Sequence, residues 1–128
     1  MRALHSFVFG MALGGVVAVA VVRAAQPDTD PVKQSPQLYT VRFENERLRV
    51  LEYRLEPGGK EPMHSHAPGI VYTLSDATLR MTASDGSTTE STRSAADVAW
   101  RDFTTHAAEN VGTTEAHALA VELKPCTG

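Results

Sequence analysis

The chain has 128 residues, of which 42% are hydrophobic and 21% are charged, and its formal net charge is -3 at pH 7. This length suits one ordinary domain rather than two, and the composition is that of a folded globular protein. The acidic balance, with both charge signs interspersed, excludes the basic surface that a nucleic-acid partner would need. Its single cysteine, Cys126, excludes an internal disulfide.

Residues 1–25 differ in character from the rest of the chain. Arg2 supplies a positive charge, and residues 7–22 contain no charged side chain. Val22 and Ala24 occupy positions that a signal peptidase reads, so this segment is predicted to be a secretory signal peptide. The alternative is an uncleaved membrane anchor, because such a run nearly spans a bilayer. Both interpretations predict export, to the periplasm, to the extracellular space or to an outward-facing membrane attachment.

Residues 26–37 carry three prolines in a short polar stretch: Pro27, Pro31 and Pro36. This composition predicts an extended Pro-rich linker rather than a packed element. The folded domain is therefore predicted to occupy residues 38–124.

From residue 38 onward the hydrophobic pattern has a period of two. Residues 50–55, 70–74, 78–83 and 117–123 alternate in this way, which predicts strands with one face in a core. In the last strand, the side bearing His117, Leu119 and Val121 is predicted to face inward. No segment keeps a helical period over three turns, so the pattern predicts an all-β sandwich or barrel.

Turn residues separate these strands. Gly-containing turns are predicted at 57–59, 85–86 and 110–112. The Asp85-Gly86 pair fits a tight hairpin between residues 78–84 and 87–93.

Two histidines, His64 and His66, follow the glycine turn at 57–59 and are separated by one residue. On an extended strand they project from the same face, with Cα atoms roughly 6–7 Å apart, so both imidazoles can reach one metal ion. A third histidine, His106, lies 40 residues later, and Asn110 shares its strand face. Asn110 either supports a ligand by a hydrogen bond or closes the following turn. Imidazole is a suitable ligand for zinc, iron, copper and nickel.

The spacing Gly58-x5-His64-x-His66 resembles the first motif of the cupin family, and His106-x3-Asn110 resembles the end of its second motif. The resemblance covers most of residues 40–124. It implies a cupin jelly-roll β-barrel in which His64, His66 and His106 are the metal ligands. The metal expected from it is a divalent ion, iron, manganese, zinc or nickel, which histidine ligation alone does not distinguish.

The chain departs from the family pattern at several positions. The family's glutamate ligand has no counterpart, since its position falls among Gly69, Ile70 and Val71. The predicted site is therefore a three-histidine one completed by water or substrate. The segment Ala96-Asp97-Val98 resembles the family's Gly-Asp-Val, with Ala96 in place of the glycine. Asp76, Arg101 and Phe103 stand where the family motifs carry a glycine or a proline.

Other polar candidates receive smaller roles. Strand parity turns Glu61 and Glu109 away from the histidine face, so both are discounted as ligands. His117 is predicted to be a packed or surface-leaning residue rather than a fourth ligand. Aromatic and sulfur-containing side chains predicted to line the pocket or the core are Tyr53, Tyr72, Met81 and Trp100.

Three functional hypotheses follow. The first is a metal-dependent enzyme, an oxygenase or isomerase, that acts on a small polar molecule, because three neutral ligands leave a divalent ion with its full charge and open positions. The second is a metal-holding module that binds a small ligand. The third is a metal-free ligand-binding or dimerising barrel with no catalytic activity. The family resemblance also implies a homodimer, and the membrane is a partner only through an uncleaved N-terminal segment.

Overall fold

The computed structural model describes residues 28–126, and nearly all of its regular structure is β. One short helix, α1, covers Pro31–Gln34. Nine strands follow it: β1 (Tyr39–Glu44), β2 (Leu48–Leu55), β3 (Lys60–His66), β4 (Gly69–Thr73), β5 (Ala77–Ala83), β6 (Thr88–Arg93), β7 (Val98–Arg101), β8 (Thr104–Asn110) and β9 (Ala116–Leu123).

The strands form two antiparallel sheets that face each other. One sheet has five strands in the order β1-β2-β9-β4-β7, and the other has four in the order β3-β8-β5-β6. Consecutive strands such as β3 and β4 lie in different sheets, which is the connectivity of a jelly roll. The predicted all-β jelly-roll fold is confirmed.

The hairpin predicted at Asp85-Gly86 joins β5 to β6. Gly86 adopts a φ of +85°, a left-handed conformation that a residue without Cβ takes at little cost. The Asp85 carboxylate accepts hydrogen bonds from the backbone N–H of Ser87 at 2.9 Å and from its hydroxyl at 2.6 Å. At the other end of β6, Ala96 takes a φ of +70° where the family motif carries glycine. The glycine-like conformation is thus kept at a cost of about 1–2 kcal/mol.

The core lies between the inner faces of the sheets. Leu51 and Leu55 of β2 are 0% and 2% exposed, as their alternation predicted. The inward face predicted for β9 is wrong: Ala116, Ala120 and Glu122 are buried, whereas Leu123 on the opposite face is 43% exposed. Both faces of β9 are largely apolar, so period two identifies the strand without showing which face meets the core.

Two aromatic residues predicted to line the core or pocket have side chains on the outer face of the five-stranded sheet. Tyr72 of β4 is 38% exposed and Trp100 of β7 is 57% exposed. Their inward neighbours are smaller, Val71 and Ala99. Packing between two sheets about 10 Å apart favours such modest side chains where a cavity is kept open.

The predicted extended linker instead packs on the barrel over the residues that the structure describes. Asp30 caps α1 by accepting from the backbone N–H of Val32 at 3.0 Å, and Pro31 stands in the first helical turn, where its missing N–H costs nothing. Thr29 accepts a backbone hydrogen bond from Ser65 of β3 at 2.8 Å, and Ser35 is fully buried. Capping and tertiary contacts therefore override the extended tendency of the prolines.

The predicted signal peptide or anchor, residues 1–25, lies outside the described residues. Over residues 28–126, no helix has the length and apolar character needed to cross a membrane. Cys126 is exposed.

Candidate metal centre

Three histidines converge on the inner face of the four-stranded sheet. His64 and His66 lie on β3, and His106 lies on β8 directly opposite His64. One ring nitrogen of each lies within 4.8 Å of the corresponding atoms of the other two. All three side chains are buried, with 0%, 3% and 9% exposure. The structure thus brings together the three histidines that the sequence singled out.

Hydrogen bonds at Nδ1 determine which nitrogen of two of these rings faces the cluster. His64 Nδ1 lies 2.8 Å from the Pro62 carbonyl oxygen, and His66 Nδ1 lies 2.6 Å from Glu122 Oε1. Because a carbonyl and a carboxylate only accept, each Nδ1 must carry the proton and donate it. Nε2 of each neutral ring is then unprotonated and carries a lone pair, and the Nε2 atoms of His64 and His66 lie 2.9 Å apart.

Burial keeps these rings uncharged. It lowers the pKa of His64 to about 4 and the pKa of His106 to about 3, with each effect reinforced by the neighbouring histidines and by the Arg101 guanidinium. Burial also lowers the pKa of His66, against the opposing influence of Glu122. At neutral pH the cluster therefore presents unprotonated nitrogens, the state in which imidazole binds a metal.

Glu122 of β9 is a site residue that the sequence analysis missed. Its Oε2 accepts from Nη2 and Nε of Arg49 at 2.7 and 3.2 Å, while Arg49 Nη1 donates to Asp30 at 2.8 Å. Burial opposes ionisation of Glu122, but the bonds from His66 and Arg49 outweigh it and lower the pKa of this carboxyl. The only signal in the sequence is a single charged residue within an otherwise apolar stretch, Ala118 to Leu123.

Glu61 was discounted as a ligand by strand parity; the parity is wrong, although Glu61 does not belong to the three-histidine group. A β-bulge places the two residues between Glu61 and His64 on β3 against one residue of β8, Ala107, which reverses the parity between Glu61 and His64. Glu61 is 3% exposed, its Oε1 lies 3.3 Å from His64 Nδ1, and burial raises its pKa to about 7. Glu109 does lie on the opposite face of its strand, where it pairs with Arg80.

Of the three positions among which the family's glutamate falls, Gly69 has no room for a side chain in this barrel. A Cβ on Gly69 would lie 1.8 Å from the Val121 carbonyl oxygen, because β4 and β9 approach closely there. The ladder neighbours of Gly69 are Arg101 on β7 and Glu122 on β9. Glu122 thus supplies a carboxylate beside the site from the adjacent strand, and it meets His66 through Nδ1, not through the nitrogen that faces the cluster.

The two remaining polar candidates have structural partners. Asn110 closes the turn after β8: its amide donates to the carbonyls of Leu55 and Thr114 at 2.8 Å, and its oxygen accepts from Gly112 at 3.0 Å. His117 lies outside the cluster, and its Nε2 is 2.7 Å from Glu52 Oε1. It is therefore a half-buried, hydrogen-bonded residue on the outer face of the sheet and not a member of the histidine group.

A cavity of about 270 Å³ opens between the sheets beside the cluster. His66 and His106 form part of its wall, together with the polar side chains of Tyr39, Tyr53 and Arg101. Most of the other wall residues are apolar, among them Val71, Ala77, Leu79, Met81, Ala118 and Ala120, and the polar ones include Glu61, Thr73, Ser75, Ser91 and Arg93. A largely apolar cavity with a few polar groups in its wall is typical of a small-molecule site.

Comparison with known proteins identifies the fold. No family model matches the chain, and no curated protein sequence matches it. A cupin domain from Bordetella pertussis is 27% identical, with a TM-score of 0.63 over 69% of this chain and 93% of that one. A double-stranded β-helix protein from Klebsiella pneumoniae is 19% identical, with a TM-score of 0.54 over 70% and 77%. A cupin superfamily protein from Desulfitobacterium hafniense is 13% identical, with a TM-score of 0.52 over 69% and 77%. These likenesses establish a cupin jelly-roll barrel.

Proposed function

We propose that the protein binds a divalent metal ion through His64, His66 and His106 and presents it to a small molecule in the adjacent cavity. One observation carries this proposal: two Nε2 lone pairs face each other at 2.9 Å while both Nδ1 atoms are committed as donors. Two acceptors at that distance repel unless a cation lies between them. A proton is disfavoured because burial lowers the pKa of each ring, so a metal ion is the fitting cation.

The chemistry of the donor set fits iron, manganese, zinc or nickel. When bound, an ion held by three neutral imidazoles would supply an open Lewis-acid position, as metal-dependent isomerases and oxygenases require. The surrounding residues orient the rings, because Glu122 and the Pro62 carbonyl hold two Nδ1–H groups. His66 and His106 form part of the cavity wall, so a small molecule in the cavity would lie beside them.

The test is the metal content of the wild type and of single alanine variants, purified without a histidine tag. His64→Ala, His66→Ala and His106→Ala should each lose most of the metal, since two protein donors bind a divalent ion weakly. His117→Ala is the matched control and should keep it. Stoichiometric metal in His106→Ala would refute the site. If no preparation of the folded wild type takes up metal, the metal-free ligand-binding barrel becomes the better account.

We also propose a homodimer that uses the outer face of the five-stranded sheet. Ile70 lies opposite Trp100 and Tyr72 opposite Val98, and these four apolar side chains are 38–65% exposed. No charged side chain alternates among them on this face of β4 and β7, so a second copy can cover it by twofold symmetry. Light scattering should give a dimer for the wild type and a monomer for Val98→Glu. Met63→Glu, on the other sheet, is the control, and a wild type that stays monomeric at high concentration would refute this interface.

We further propose export, on the composition of residues 1–25. Arg2, the apolar run at 7–22 and Ala24 together support a signal peptide or an anchor. A reporter fused after Gly128 that is active only outside the cytoplasm is expected. Activity confined to the cytoplasm would refute export, and N-terminal sequencing of the purified protein would distinguish cleavage from anchoring.

A further inference from the structure

Arg101 is a half-buried cation whose hydrogen-bonding capacity is largely unused. Its side chain is 20% exposed, and its Nε is buried with no hydrogen-bond partner among the described residues. Its closest polar contact is a long one, from Nη2 to Glu122 Oε1 at 3.4 Å. That same oxygen already accepts a 2.6 Å bond from His66 Nδ1. Buried charged groups are normally paired, so this guanidinium requires an explanation.

Arg49 shows what a structural arginine looks like in the same sheet. Its side chain is 18% exposed, close to the value for Arg101, yet three of its N–H groups donate to carboxylates of Asp30 and Glu122. Arg49 divides its donors between Asp30 and Glu122, whereas Arg101 has one long ion pair with Glu122 at 3.4 Å and leaves its Nε donor unused. Glu61, another carboxyl on the cavity wall, forms no ion pair with Arg101 in the part of the chain that the structure describes.

The position of Arg101 points its side chain into the cavity. It ends the inner face of β7, two residues after Ala99, and it lines the cavity together with His66 and His106. Gly69 is its ladder neighbour on β4 and carries no side chain that would cover it. The cavity wall therefore combines the metal-centre histidines, a cation with an unused donor and many apolar side chains.

We propose that Arg101 anchors the carboxylate of a small organic acid whose body lies in the apolar part of the cavity. A guanidinium presents paired N–H donors that match the two oxygens of a carboxylate. Phosphate esters and other dianions fit less well, because Arg101 is the single cation that combines this burial with free donors in the described cavity wall. The volume of about 270 Å³ admits a small acid and excludes a peptide or a nucleic acid. This inference deepens the proposed function by naming the ligand class, but the anchor itself does not require the metal.

Matched acid and amide probes test the proposal on the full-chain protein. Binding of benzoate and of benzamide, and of propionate and propionamide, is measured by ligand-observed NMR and calorimetry. The wild type should bind the acids about 10- to 100-fold more tightly than the amides, the range expected for a charge-assisted hydrogen-bonded pair. Arg101→Gln should abolish this preference, and Arg101→Lys should retain part of it. Arg93→Gln, which alters another arginine of the cavity wall, should leave the preference unchanged.

Circular dichroism and thermal melting show whether each variant is folded. If Arg101→Gln does not fold, Arg101→Lys still tests the proposal. Equal affinity for acid and amide, no binding of any probe, or loss of the preference in Arg93→Gln instead would overturn the proposal. The measurements are repeated after chelation and on His106→Ala. If the metal-free samples still bind the acids more tightly than the amides, the result supports Arg101 as the carboxylate anchor independently of the metal centre. Stoichiometric metal without acid preference would refute the anchor alone.

Discussion

Two clusters of histidine, glutamate and arginine occupy opposite faces of the same pair of strands, β2 and β9. On the inner face, Glu122 joins His66 to Arg49. On the outer face, Glu52 joins His117 to Arg42 and Arg54. The residue types are the same, and each histidine–carboxylate distance is below 2.8 Å.

The two clusters differ in what surrounds the histidine ring nitrogen that does not contact the carboxylate. In the inner cluster, His66 Nε2 meets His64 at 2.9 Å inside the barrel, and its ring contacts that of His106 at a centroid distance of 5.4 Å. In the outer cluster, Arg42 and Arg54 are more than half exposed, and His117 has no histidine neighbour in the described residues. A carboxylate-oriented histidine thus becomes a candidate metal ligand only where other donors converge on its free nitrogen.

The largest contrast is expected in stability when the arginines are removed. Arg49→Met leaves the buried Glu122 carboxylate without its main partner, which should cost about 3 kcal/mol of unfolding free energy. Arg42→Met removes one of several partners of Glu52 at the surface, and its effect should be far smaller. Urea denaturation of the metal-free proteins measures both. An equal loss of unfolding free energy in the two variants would show that burial of the inner cluster does not increase the cost of removing its arginine.

A smaller contrast is expected in metal affinity. Glu122→Gln weakens the acceptor of the His66 Nδ1–H and should lower affinity about 10- to 100-fold, as substitutions of such supporting carboxylates do. Glu52→Gln makes the same change on the outer face and should leave affinity unaltered. Competition with a chelator at neutral pH gives both values. An unchanged affinity in Glu122→Gln would show that the Glu122 charge does not tune His66.

The smallest contrast concerns the pH dependence of metal-free stability. Unfolded histidine titrates near 6.5, whereas burial lowers the pKa of His64 to about 4 and of His106 to about 3. Between pH 6.5 and about 4 the unfolded state binds more protons at the histidines, so their contribution to stability falls as the pH is lowered. Glu61, whose pKa burial raises to about 7, acts in the opposite sense, but it is one group against three histidines. On the outer face, the hydrogen bond from His117 and the contact with Arg42 lower the pKa of Glu52 to about 2. Its contribution is present above about pH 4.5 and is lost towards pH 2.

Urea midpoints across this range, measured after chelation, separate the two contributions. His106→Ala should flatten the decline between pH 6.5 and 4, and Glu52→Gln should change only the decline below pH 4.5. A wild-type midpoint that is constant from pH 6.5 to 4 would contradict the lowered histidine pKa values.

Features that depend on near neighbours in the chain could be predicted from the sequence. The period of two identifies the strands, because side chains alternate between the faces of any extended segment. The same geometry brings His64 and His66 to one side, and a glycine following Asp85 predicts the β5–β6 hairpin. The motif resemblance added His106, which the β3–β8 pairing places directly opposite His64.

Features that depend on strand pairing were decided only by the tertiary structure. The bulge between Glu61 and His64 exists because β8 offers one residue fewer over that stretch, and it turns Glu61 inward against its parity. Glu122 reaches His66 across 56 residues of sequence, and the inward face of β9 is selected by the opposing sheet, because both of its faces are apolar. Local patterns specify the conformation of a strand, but its register and partners are set by contacts distant in the chain, where a shift of one residue exchanges the two faces.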